Sequence, residues 1–396
     1  MFEFAPAEFE SRIKALQKAL IAQEIDVAIL NVNTDIYYYC GSIHPLYLLI
    51  PAAGQAVALA RKALAQIGLE APFVRSAGFA NTKDLKGICQ KFHLNKARRI
   101  GLVLENSAYA TVCRWQQVFE GAALSDLSWE IRRLRMVKSA TEIAIQIKAG
   151  TILAQVPQVV QKSFQPGMTE LELTAAIEYF FRLNGHSGLV RCRRESVEMT
   201  YGVCAAGVNS LAGTKFEGVC AGKGTSPAVP YGAAAVPIER GQPVVLDYAF
   251  NYRGYHVDQT RMFCWGKPPD AFLQAYDAMT VISREIIAGM RPGQNWSLSY
   301  QVAFQKAAAA GYEDQFMGCD LDKVRFVGHG VGLELDEPPF LAPRMEEFLL
   351  EENMVIAVEP KVALPGLGIV GIEDTVVLRK DQTERITDCD PAWITF

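Results

Sequence analysis

Residues 7–24 set Phe9, Ile13, Leu16, Leu20 and Ile21 at three- and four-residue intervals between charged positions, a spacing that predicts an amphipathic helix with one buried face. The run IDVAILNV that follows is almost continuously apolar and predicts a buried strand. DIYYYCG and the apolar segment 46–60 come next, and strand-like and helix-like pieces alternate as far as RRIGLVLEN at 98–106. Alternation of this kind predicts an α/β domain, placed at residues 1–131, which serves as scaffold.

The pattern changes near residue 132. Ser139 followed three positions later by Glu142 reads as a helix start, and the isoleucines at 143, 145, 147 and 152 continue it. Further helices are predicted over 169–183, 268–289 and 297–311, and strands over 198–208, 243–249, 255–264, 353–361 and 369–379. Strands and helices mixed in this order predict a second, α+β domain at 132–396. Two strand pairs read as hairpins: VVLDYAF and YHVDQTRMFC turn through NYRG, and NMVIAVEPK and IVGIEDTVVLR turn through ALPGLG.

Each hairpin carries two carboxylates inside an apolar run: Asp247 and Asp258 in the first, Glu359 and Glu373 in the second. An ionised carboxylate among Val, Ile and Leu is costly unless it is paired, hydrogen-bonded or bound to a metal. Four together call for concentrated positive charge. The run VRFVGHGVGLELDEPP adds His329 between glycines that let its backbone approach another element closely; alone it reads equally as a turn residue. Four carboxylates and one imidazole form an oxygen-rich donor set for two close divalent ions, Mn first, with Co, Fe or Zn as alternatives; the imidazole disfavours Mg.

Composition narrows the classes. Half of the 396 residues are hydrophobic, 21% are charged and the formal net charge is −4, with no lysine or arginine block, which argues against a nucleic-acid partner. The first twenty residues lack a basic segment leading into an apolar one, and no apolar run is uninterrupted over a membrane's width, so neither a signal peptide nor a membrane partner is expected. Nine scattered cysteines without a CxxC pair suit reduced thiols in the cytoplasm. GVCAGKGTSPAVP is glycine-rich but lacks the GxxxxGK[ST] order of a phosphate loop.

LDYAFNYRGYHVDQTR, VGHGVGLELDEPP, VIAVEP and GIEDTVV, in this order, resemble the motifs of the pita-bread metallopeptidase family, which includes Xaa-Pro dipeptidase, aminopeptidase P, methionine aminopeptidase and the non-metal hydrolase creatinase. The resemblance extends to a creatinase-type N-terminal domain and to RMVKSATEIAIQIKAG as the start of the catalytic domain. It implies a dinuclear metal-dependent hydrolase that uses activated water on a small peptide or amide, and a homodimer. It also implies ligand roles: Asp247 holding the first ion, Asp258 and Glu373 bridging, and His329 and Glu359 completing the second site.

Two departures stand out. Where the family carries a histidine seven residues after the ligand histidine, this chain has Asp336, and where it carries one in a segment like SGPNSALPHG, this chain has Tyr231. Asp336 then becomes a candidate for binding a substrate amine or relaying a proton, and Tyr231 for donating to an oxyanion; packing in the pocket wall is the plainer reading of both. His256, two residues before Asp258, is a third candidate, beside the metals or in structural packing. His186 and the arginines at 191, 193 and 194 are candidates for meeting a substrate carboxylate, or else form a basic turn. Losing both family histidines also opens the alternative of a hydrolase or lyase acting on a small non-peptide substrate.

Overall fold

A computed structural model of the chain describes residues 4–193, 197–215 and 217–395. The chain divides into two compact units, Met1–Arg135 and Met136–Phe396. The first is built on a six-stranded mixed sheet of β1 (Val27–Leu30), β2 (Tyr47–Pro51), β3 (Val57–Ala60), β4 (Arg75–Gly78), β5 (Arg99–Leu102) and β6 (Ala123–Asp126), in the order β4-β3-β2-β1-β5-β6. The helix Pro6–Ala22 buries Phe9, Ile13, Leu16 and Leu20, while Ile21 faces solvent at 63% exposure. DIYYYCG falls within a helix, Asn33–Cys40, closed by Gly41 at φ 75°, and segment 46–60 is the antiparallel pair β2–β3. Arg135 and Asp35 form a buried ion pair at 2.8 Å inside this unit.

The second unit carries a nine-stranded sheet. Its path runs β11 (Glu337–Phe340), β10 (Gly328–Gly330), β12 (Val355–Val358), β15 (Glu373–Leu378), β9 (Tyr255–Cys264), β8 (Pro243–Tyr252) and β7 (Gly202–Ala206), and two short strands, Thr383–Arg385 and Ile394–Thr395, join β15 and β9. Alternate residues feed two cores. Val245, Met262, Ile356, Val358 and Val376 pack with Phe272, Met279 and Ile286 of the helix Asp270–Gly289, whereas Val244, Leu246, Phe263, Val355 and Ala357 pack with Ile143, Ile152, Leu173 and Phe181. The sheet is covered on both faces.

The second predicted hairpin is more elaborate than the sequence pattern suggests. β12 and β15 do pair antiparallel, but the chain between them leaves the sheet at Glu359–Pro360 and makes its own two-stranded ribbon, β13 (Lys361–Leu364) with β14 (Gly368–Gly371). Proline cannot donate to a ladder, and the break sits where it stands.

The helix Ala140–Leu153 ties the site-bearing strands together. Its start is a capping box in which Ser139 accepts from the Glu142 amide and Glu142 accepts from the Ser139 amide; losing such a cap costs about 1 kcal/mol. One turn on, buried Gln146 donates through Nε2 to the carbonyls of His256 and Val331. Residues 140–163 are long and apolar enough to cross a bilayer by length and composition. They form two helices whose Ile143, Ile152, Val156 and Val160 are buried in the core, which is the reason for their apolarity here.

Candidate metal centre

Strand register assembles the carboxylates. Asp247 on β8 lies opposite Thr260 on β9, and Thr260 in turn lies opposite Glu373 on β15, so one row across three strands reads Asp, Thr, Glu. Asp258, two residues before Thr260, shares its side of β9. The Thr260 hydroxyl donates to Glu373 Oε2 at 2.7 Å, and the Thr375 hydroxyl is hydrogen-bonded to the backbone of Asp258. Charged side chains in the middle of apolar strands are therefore held by neighbours that the same register supplies.

His329 sits on β10, paired with β12 on one side and β11 on the other. Its flanking glycines have a steric cause: a Cβ at Gly328 would stand 2.4 Å from the Ala357 carbonyl oxygen, and one at Gly330 would stand 2.4 Å from that of Pro338. Close backbone approach thus delivers the imidazole to the sheet. Nδ1 lies 3.2 Å from the Gly330 carbonyl oxygen, to which it donates, and Nε2, 3.6 Å from Glu359 Oε1, is the nitrogen turned toward the carboxylates. All five residues predicted as ligands line one small cavity of about 70 Å³, together with Glu217, Phe326 and Asp336.

A sixth charged residue was not anticipated. Lys361, two positions after Glu359, turns its ammonium into the cluster, with Nζ 2.6 Å from Glu359 Oε2, 3.0 Å from Glu373 Oε2 and 3.1 Å from Asp247 Oδ2; its side chain is 2% exposed. The signal that exposes the carboxylates, a charge in an apolar run, was present here too in AVEPKVAL. A lysine one residue past a proline at a strand end reads as solvated, which concealed it.

Electrostatically the cluster is short of positive charge. Burial, then the charges of Glu373 and Asp247, push the Asp258 carboxyl well above the ordinary aspartate range. Burial raises Asp247 as well, against the pull of Lys361. For Lys361, burial opposes the ammonium, but Asp247, Glu359 and Glu373 outweigh it and hold the group charged. Burial likewise opposes protonation of His329, and the charges of Asp336 and Glu359 outweigh it.

These residues fit one divalent ion. Asp258, His329 and Glu373 each offer a ligand atom within 4.8 Å of the others, and Glu373 Oε1 is a buried acceptor with no hydrogen-bond partner among the described residues. A second ion fits poorly, because oxygens of Asp247, Glu359 and Glu373 are already bonded to Lys361.

The other candidates separate clearly. Asp336 lies on the wall shared by the ligand cavity and a larger cleft of about 760 Å³, lined also by Lys215, Glu217, Arg325 and Phe326. Tyr231 lies instead on a third cavity, with Glu198, Met199 and Lys215. His256 is not brought to the ligands: it is fully buried, Nε2 accepts from Asn251 Nδ2 and the Arg191 amide, and Nδ1 donates to the Gly332 carbonyl. With both ring nitrogens engaged, it holds the histidine loop against β9. His186 is buried beside Phe181, Tyr201 and Phe250, accepts from the Gly188 amide, and burial lowers its pKa to about 4. Arg193 forms a buried ion pair with Glu334 and so does not await a substrate; Arg194 lies outside the described residues.

Comparison with known proteins agrees with this reading of the fold. The profile described as metallopeptidase family M24 matches residues 145–380, and that of the creatinase/prolidase N-terminal domain matches residues 12–137. An uncharacterized peptidase of Bacillus subtilis (strain 168) is 28% identical over 73% of this chain and 73% of its own. A Xaa-Pro dipeptidase of Pyrococcus horikoshii is 26% identical over 95% of this chain and 96% of its own. Among solved structures, a Xaa-Pro dipeptidase from Bacillus anthracis superposes with a TM-score of 0.82 at 23% identity, covering 98% of this chain and 100% of its own. The expected architecture, a creatinase-type domain followed by a pita-bread domain, is borne out.

Proposed function

Because this chain belongs to metallopeptidase family M24, we propose that it hydrolyses the amide bond of a small peptide, with an Xaa-Pro dipeptide as the first substrate to try. The chain is a hydrolase of a metal-dependent family. The observation that carries the proposal is the convergence of four carboxylates and one imidazole, from four strands and the loop after β12, on one cavity beside a peptide-sized cleft. The named relatives are peptidases, so the alternative of a non-peptide substrate is not favoured.

A divalent ion, when bound, supplies Lewis acidity that activates water and polarises a carbonyl. Asp258, His329 and Glu373 would hold it, and Thr260 fixes the Glu373 carboxylate through its hydroxyl. Lys361 keeps a fixed positive charge on the same oxygen of that carboxylate, Oε2. Asp336 lines both the cavity and the cleft, which supports the reading that it meets a peptide's cationic N-terminus or a proton in transfer. Tyr231 and His256 take no step in this scheme.

Manganese is the first ion to supply, since imidazole beside carboxylates disfavours magnesium. Nine free cysteines support a reducing compartment, the cytoplasm. A homodimer is proposed from the family resemblance, and sedimentation at several concentrations tests it. The substrate itself is tested by a competition screen of dipeptides, proline peptides and small amides against protein loaded with Mn or Co. Cleavage of Xaa-Pro dipeptides is expected; turnover confined to non-peptide amides would refute the proposal.

A further inference from the structure

The ammonium of Lys361 meets three carboxylate oxygens, from Asp247, Glu359 and Glu373, at 3.1, 2.6 and 3.0 Å. Three acceptors saturate the three donors of an ammonium. The side chain is not a surface lysine that has strayed inward: it is 2% exposed, and a Cβ at Gly371 across the β13–β14 ribbon would stand 2.4 Å from Lys361 Cγ. The ribbon therefore leaves room for this chain and little else. The three carboxylates it joins belong to strand β8, the turn after β12 and strand β15, so a single cation unites the elements that a metal ion would otherwise join.

Accepting the reading of this centre as a metal site, we propose that the Lys361 ammonium takes the place of one of the two ions and that the centre binds a single divalent ion on Asp258, His329 and Glu373. The remaining donors agree with that division. Glu373 spends Oε2 on Lys361 and Thr260 and keeps Oε1 buried and without a hydrogen-bond partner among the described residues. His329 commits Nδ1 to the Gly330 carbonyl and keeps Nε2. Asp258 completes a trio whose ligand atoms lie within 4.8 Å of one another. Charge counting points the same way: four carboxylates balance two dications, and a buried ammonium added to both leaves an excess positive charge among cations a few ångströms apart. With one dication the ammonium restores most of the balance. Asp247, which the resemblance assigns to the first ion, is then a partner of Lys361, and the lysine is a positioning residue that orients Glu373, the one carboxylate it shares with the remaining ion.

The test counts metal in the full-length protein. Wild type and Lys361→Ala are saturated with Mn(II), freed of excess by gel filtration, and analysed for metal per chain by mass spectrometry and for ion coupling by electron paramagnetic resonance. Wild type is expected to retain about one ion, with the signal of an isolated Mn(II), and Lys361→Ala about two, with a spin-coupled signal. Two ions in wild type, none in wild type, or one in both proteins would overturn the proposal. Should Lys361→Ala fail to fold, Lys361→Gln, which keeps chain length without the charge, takes its place, and the wild-type count decides independently. Peptide turnover is measured on the same samples: a chain that holds one ion but cleaves no peptide refutes the substrate reading and leaves this one standing.

Discussion

Replacing Thr260 by valine removes one hydroxyl and almost no volume, and it asks how much the row Asp247–Thr260–Glu373 contributes. Thr260 is fully buried, and its hydroxyl donates to Glu373 Oε2 at 2.7 Å. A hydrogen bond to a charged group contributes roughly 1.5–3 kcal/mol. For a domain of this size each kcal/mol moves the melting temperature by roughly 2–4 °C, so Thr260→Val should lower it by roughly 3–12 °C. Glu373 Oε2 retains Lys361, which places the expectation toward the smaller figure. The second consequence is specific to function: a Glu373 held by Lys361 alone should bind the ion roughly 10–100-fold more weakly, the usual effect of losing a ligand's supporting hydrogen bond. Differential scanning calorimetry in chelator gives the first quantity and competition with a fluorescent Mn chelator the second. A merely structural threonine would move the melting temperature and leave ion affinity unchanged, and that result would refute the role assigned to the row.

Asp258→Asn should lower turnover on the order of 100-fold or more, since an ion contributes several kcal/mol to the transition state, yet in chelator it should melt at or above wild type. The reason for the second part is that the fold disfavours the charged form of Asp258, and a carboxamide is a neutral substitute. Asp336→Asn should keep its ion by metal analysis while losing most of its turnover, and unchanged turnover would leave Asp336 as wall alone. His186 has its pKa lowered to about 4 by burial, so the unfolded chain binds the extra proton first and stability is lost as pH falls from the ordinary histidine range toward 4. Over that interval the loss attributable to His186 is roughly 3 kcal/mol, read as the difference in urea unfolding between wild type and His186→Gln at pH 7 and pH 4.5.

What could be read from the sequence, and what could not, follows from how local each signal is. The helix start at Ser139 was legible because a capping box is complete within four residues, and it is formed. The first hairpin was legible because two alternating runs flank one polar turn, and β8 pairs with β9 over its whole length. Four carboxylates in apolar runs were legible as a set because each violates the pattern of its own strand. By contrast, DIYYYCG is short and carries no local mark of its class, and it is helical where it packs against the helix Pro6–Ala22. The sharing of the cluster by Lys361 depends on the chain leaving the sheet at Pro360 and forming the separate β13–β14 ribbon, a three-dimensional fact with no local mark.

The same distinction explains why His256 and Asp336 fared differently. Both were singled out by nearness in sequence to a ligand, His256 two residues before Asp258 and Asp336 seven after His329. On a strand, a separation of two predicts only a shared side, and the ring of His256 is reached first by the backbone of residues 191 and 332, whose own polar groups need partners. Once those bonds form, its nitrogens have nothing left to offer a substrate. Asp336 stands where the histidine loop turns into β11, at the junction of cavity and cleft, and packing there leaves it on the wall of both. Sequence proximity to a ligand thus nominates residues, and for His256 the backbone's demand for hydrogen bonds decides that the ring serves packing.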